Sequence, residues 1–449
     1  MSSPFIARLR VQTAVSESAS KLSATVLVVV LYGVLSSVAI AADTPLTLSG
    51  AQRTAVERSR QIAAKDYGTT ASREMAVAAG QLPDPIIRAG IDNLPISGAD
   101  RFSLTNDFMT MRRIGVMQEI TRSDKRYWKA QRYEREADKT TAEKTETIAN
   151  IQRDTAVAWL DRYYAEAMAA VIEEQAQQSQ FEIQAAEGAY RAGRGSQADI
   201  FAARGNLATF RDRASEAARR VANAKTMLAR WIGREAEAPL ASVPVTETVR
   251  LDVASLETQL THHPRIAVVT RQVEIAEAEA NLAQANKKAD WSVEVAYQQR
   301  GPAYSNMVSV GVSIPLQLDQ KHRQNREEAS KLAMVEQIRA ERDDMLRGHV
   351  AETHTMYTEW ENTRERATRF ERELVPLAQS RTMAALAAYQ GGKSMLSDVL
   401  LARRSEIDVR LQSLQLKADA ARFWAQLNFL FPDDSAMMHS AASLNGDSK

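Results

Sequence analysis

Two apolar periods take turns along this chain. From Thr44 to Ala79 the sequence is alanine-rich and polar with helical spacing, and it ends in the breaker cluster Gly80-Gln81-Leu82-Pro83-Asp84-Pro85. The period then drops to two. Ile87, Ala89 and Ile91 alternate with Arg88, Gly90 and Asp92. After a polar loop with Asn93, Pro95, Gly98 and Asn106, Ile114, Val116 and Ile120 alternate with Arg113, Gly115 and Glu119. These runs predict a strand hairpin over 84–120, set between helices. The plan is then repeated. A helical run from Pro264 to Lys287 leads to Trp291, Val293, Val295 and Tyr297 alternating with Ser292, Glu294, Ala296 and Gln298. A turn at Arg300-Gly301-Pro302 follows, and Val308, Val310, Val312, Ile314 and Leu316 alternate with Ser309, Gly311 and Ser313, which predicts a second hairpin over 290–317.

Each hairpin precedes a very long helical stretch. Ser123 to Ala189 contains no proline and only Gly188, and His322 to Ala388 contains only Gly348 and Pro376. At 1.5 Å per residue each spans roughly 100 Å. Charges recur throughout, so these stretches are not membrane spans, and their length indicates coiled-coil packing. Shorter helices return from Asp199 to Trp231 and from Asp398 to Leu430.

The turns between long and returning helices match. Tyr190, Gly193, Arg194, Asp199, Ala203 and Arg204 recur 199 positions later as Tyr389, Gly392, Lys393, Asp398, Ala402 and Arg403. Glycine ends one helix and aspartate opens the next. One such turn is an ordinary cap; two with the same spacing point to a constrained surface.

The chain therefore divides into a first repeat over 42–232 with its tip at 190–199, a linker over 233–250, and a second repeat over 251–430 with its tip at 389–398. Residues 1–41 read as a secretory signal: Arg8, Arg10 and Lys21 precede an apolar run, and Ala39-Ile40-Ala41 offers a cleavage site. Residues 431–449 read as a disordered tail. No later window is apolar enough for a membrane helix, which leaves membrane strands open.

A half-buried soluble sheet alternates as these strands do. The set of four, each long enough to cross a bilayer when tilted, with the aromatics Trp291 and Tyr297 at the ends of one run, favours a membrane barrel. Four strands cannot close a barrel without exposing unpaired edges, so the barrel is shared between chains. Net charge is +1, which removes the electrostatic case for nucleic acid, and the absence of cysteine excludes disulfides and a lipidated N-terminal cysteine.

No phosphate loop, dinucleotide fingerprint or nucleophile elbow occurs, so the chain is read as a non-enzyme without cofactor or metal centre. His262 and His263 are adjacent and point apart on a helix, and His349 and His354 read as helix-surface residues. Met109, Met111 and Met117 have thioethers suited to Cu(I), yet read first as lipid-facing or packing residues. Met437-Met438-His439 falls in the tail.

The duplicated helix-strand-strand-helix plan and the paired tips resemble the TolC-type outer-membrane efflux channels over nearly the whole mature chain. Within that family, Ala79 to Pro85, Gly90 to Pro95 and Phe108 to Glu119 are most similar to the heavy-metal branch serving cobalt-zinc-cadmium or copper-silver pumps. Several members of that branch carry a lipidated cysteine, which this chain lacks.

The resemblance implies a mainly helical fold with a membrane β part. Three chains would share a 12-strand outer-membrane barrel above a periplasmic tunnel of helices. It implies outer-membrane lipid around the barrel, a periplasmic adaptor docked at Tyr190, Gly193, Asp199, Arg204, Tyr389, Gly392, Asp398 and Arg403, and an inner-membrane transporter supplying energy. It also implies a gate in which Tyr389 bonds Asp199 and three Asp398 carboxylates form a ring. The expected function is a passive exit duct for heavy-metal cations. A multidrug or protein-secretion duct, or a pore-less periplasmic scaffold, stands as the alternative.

Overall fold

The computed structural model describes residues 45–433. The signal segment and most of the C-terminal tail, including Met437-Met438-His439, lie outside the described residues.

The helical entry is broken once. Helix α1 (Leu48–Arg58) is capped by Thr47, whose hydroxyl accepts from Gly50 N–H. Ser59 then ends α1 and caps α2 (Arg60–Ala79), accepting from Ile62 N–H at 3.3 Å. Strands β1 (Ile86–Asp92) and β2 (Met111–Ile120) lead into α3 (Ser123–Arg191). Its 69 residues make one continuous helix, roughly 100 Å long. Helix α4 (Gln197–Ile232) returns alongside it.

The linker carries 3₁₀ turns at Gly233–Glu237 and Val253–Ser255, followed by the short α5 (Leu256–Thr261). The second repeat comprises α6 (Pro264–Ala285), β3 (Trp291–Gln299), β4 (Met307–Ser313), α7 (Gln324–Arg369), α8 (Val375–Gln390) and α9 (Leu396–Asn428).

The stretch from 322 to 388, read from sequence as one helix, is not uniform. A π-helical turn at Phe370–Leu374 separates α7 from α8. Pro376 lacks an N–H and its ring crowds the carbonyl four residues back, so the wider turn accommodates it.

All four strands form one antiparallel meander, β1-β2-β3-β4. Its register sorts the two faces. Ile87, Val116, Val295 and Val310 share one row, and Ala89, Ile114, Tyr297 and Val308 the next. Val308, Val310 and Val312 are 69%, 71% and 60% exposed, so this apolar face is uncovered within the chain. The opposite face carries Arg88, Gly115, Ala296 and Ser309 in one row, with Arg113, Glu294 and Gln298 beside it. A Cβ at Gly115 would stand 2.8 Å from that of Ala296, so this cross-strand pair accepts no side chain on β2.

The main core lies where α1, the middle of α3, the end of α4, the linker and α9 converge. Trp159, Leu160, Leu228, Ile232, Ala421 and Ala425 are fully buried there. Indole N–H groups fix the segments around it: Trp159 Nε1 donates to the Leu46 carbonyl of the N-terminal entry at 3.1 Å, and Trp424 Nε1 to the Thr248 carbonyl of the linker at 2.8 Å. Residues 431–433, read from sequence as the start of the tail, are held: Asp433 pairs with Arg250 at 2.6 Å and its N–H donates to Gln152 at 2.8 Å.

Candidate functional site: helical tips and sheet

The two tips are built alike. Arg194 N–H donates to the Ala189 carbonyl and Gly193 N–H to Tyr190; Lys393 and Gly392 repeat both bonds with Ala388 and Tyr389. This doubly bonded helix end needs a left-handed residue, and Gly193 and Gly392 have φ of 71° and 69°. A Cβ at either would meet nothing within 4 Å. Conformation, rather than crowding within the chain, requires these glycines.

The aspartates cap the starts of the following helices. Asp199 Oδ2 accepts from Ser196 N–H and Oγ–H at 2.9 and 2.8 Å, while Asp199 N–H donates back to Ser196 Oγ. Asp398 accepts from Met395 N–H at 3.1 Å, but methionine has no hydroxyl to return the bond. Asp398 remains exposed.

The tyrosines diverge. Tyr190 is exposed, whereas Tyr389 packs on the small cluster of Ala186, Ala203, Leu396, Val399 and Leu400 that joins both tips. No hydrogen bond joins Tyr389 to Asp199 within the chain, because the Asp199 carboxylate is turned to Ser196.

The matching arginines also differ. Arg204 pairs with Glu187 in its own hairpin at an exposed site. Arg403 crosses to α3, with Nε 2.7 Å from Glu182 Oε1 and Nη1 bonded to Gln178. Glu182 is 8% exposed; burial pushes its carboxyl above the usual range and Arg403 partly draws it back. Sequence reasoning missed Gln178 and Glu182, because nothing in a helix period tells which polar residue meets the other hairpin.

At the sheet, Glu294 on β3 accepts from Arg113 at 2.5 Å and faces Arg88 at 3.5 Å, a charged row on the polar face. Met111 and Met117 share this face with Arg113 and Gly115, by the period-two register, and so are not on the apolar side. Below the sheet, the buried Lys125 pairs with Asp290 at 2.7 Å and Lys288 with Asp124 at 3.0 Å, tying the start of α3 to the connection between α6 and β3 in the other repeat.

His349, read from sequence as a helix-surface residue, meets His263. His263 and His349 are buried with ring centroids 4.2 Å apart. Among the described residues no group of three or more carboxylates and histidines is arranged to hold a metal. No helix among them is long and apolar enough to cross a membrane.

No family model matches the sequence, and no curated protein does. Solved structures match the fold over most of its length. The outer-membrane channel OprN superposes with a TM-score of 0.71 at 16% identity, over 86% of this chain and 90% of that one. The chain has the fold of an outer-membrane channel. The outer membrane protein VceC from Vibrio cholerae matches this channel fold at 0.68 and 18% identity, over 85% and 95% of the two chains. CusC, whose structures concern folding and transmembrane channel formation, matches at 0.70 and 16%, over 86% and 92%. The fold is thus shared with outer-membrane channels at low sequence identity.

Proposed function

We propose that this chain is an outer-membrane exit duct of a tripartite efflux pump. It acts as a homotrimer whose strands form one barrel and whose helices reach through the periplasm to an adaptor and an inner-membrane transporter. One observation carries the reading: a four-stranded sheet with both edges open and an apolar face exposed in rows, mounted on long helices of which α3 alone spans about 100 Å. Such a sheet is stable in lipid only when closed by further strands.

The duct is passive, and no residue is assigned a chemical step. Heavy-metal cations are the substrate class we favour, on the sequence resemblance of residues 79–85, 90–95 and 108–119. The likeness in fold to channels of several names does not choose among substrates. Tyr190, Gly193, Asp199, Arg204, Tyr389, Gly392, Asp398 and Arg403 form the adaptor-facing surface, and Tyr389, Asp199 and Asp398 the gate.

The test is complementation of a deletion strain, scored by growth in heavy-metal salts and in hydrophobic drugs. Wild type should restore tolerance to metal. A Gly193→Trp/Gly392→Trp variant should fail while still assembling, and Gly193→Asn/Gly392→Asn, which keeps the left-handed turn, should retain part of the tolerance. Full tolerance from the tryptophan variant would show that the tips do not dock. Rescue against drugs alone would replace the metal reading and leave the duct.

A further inference from the structure

The histidine pair lies outside every part used so far. His263 opens α6 and His349 sits midway along α7, and their rings meet edge to face at 4.2 Å. Phe431 closes a third side, 5.5 Å from His263. The rings are only 8% and 9% exposed.

His263 Nδ1 accepts from Arg265 N–H at 3.2 Å, and the Leu430 backbone beside the ring favours a positive charge on it, against the larger effect of burial. Neither ring nitrogen of His349 has a hydrogen-bond partner. Just beyond the rings, Asp433 is clamped by Gln152 on α3 and by Arg250. The segment 429–433 is therefore held by polar bonds at its end and by the His263 ring, itself backed by His349, at its base.

Each element packed here contributes a charge. Arg153 of α3 and Arg265 of α6 oppose a positive charge on His263, and Arg265 opposes one on His349. Glu352 of α7 lies 3.8 Å from His349 Nδ1 and favours protonation, but it is 70% exposed and shares its field with water. Burial is the largest influence on both rings and lowers both, His263 to about 3.

We propose that this pair is an acid-sensitive latch: the neutral His263 ring, backed by His349 of α7, holds residues 429–433 against the start of α6, and proton uptake by the pair releases the segment. The direction follows from linkage. Each ring is harder to protonate docked than free, so docking is full above the ordinary histidine value near ~6.5 and weakens as pH falls below it. The opening constant rises by at most about tenfold per pH unit for each histidine. Carboxylates in general titrate below this window. The inference does not depend on the duct reading.

The experiment is backbone hydrogen exchange over 425–433 in the full-length protein as purified, at pH 7.5 and 5.5 and corrected for intrinsic rates. Between these values opening should rise by about tenfold to a hundredfold in wild type, as one or both rings contribute. His349→Gln should shrink the rise, and His263→Asn/His349→Gln should abolish it. Protection independent of pH in wild type, or the same rise in the double variant, would overturn the latch. Should the double variant not fold, exchange of the imidazole C2–H in wild type decides. Neither ring should show a titration step near ~6.5; a step there for His263, the ring that touches the segment, overturns the proposal.

Discussion

Asp199 and Asp398 occupy equivalent places in the two tips, and each spends its carboxylate on the backbone of its own turn. A cap of this kind stabilises a helix by about 1 kcal/mol. A gate asks more of the same atoms, since Tyr389 must reach Asp199 when three chains converge. The two roles separate experimentally. Trimers carrying Tyr389→Phe with Asp199→Ala should show higher single-channel conductance in planar bilayers than wild type. Unchanged conductance with a modest loss of stability would mean that the aspartates only cap. At this scale the sequence exposed what local geometry governs: glycine at a left-handed turn, aspartate at a helix start. It hid what packing governs. Arg403 and Arg204 look equivalent along the chain, yet one crosses to Glu182 and the other stays in its own hairpin. His349 looked like a surface residue until α6 brought His263 against it.

The strands were the most legible elements, because a period of two assigns every residue to a face without knowledge of the partner strand. The register bears this out through Val116, Val295 and Val310 in one row and Gly115, Ala296 and Ser309 in the next. On the proposed reading the first row meets lipid and the second the lumen. Val310→Arg should then cost on the order of 2 to 4 kcal/mol near the bilayer midplane, while Ser309→Arg should be tolerated. Refolding yields into lipid vesicles measure both, and equal losses would remove the barrel. The helices were legible in extent but not in continuity. Ser59 divides α1 from α2 and a π turn divides α7 from α8, each a local event inside a helical period that persists on both sides.

For the whole molecule, duplication was readable because the tips repeat residue by residue. The buried core was less so, since Trp159, Leu228 and Ala421 come from three distant helices and meet around a linker that has no period at all. The chain remains incomplete by itself: β1 and β4 each have an unpaired edge, and the apolar face above them is bare. Everything proposed for the duct rests on three chains supplying what one lacks. The most direct measurement is the mass of the particle released from the outer-membrane fraction. The account predicts that no particle is released in buffer alone and that detergent releases a particle of three chains. A single chain recovered in detergent-free buffer would contradict it.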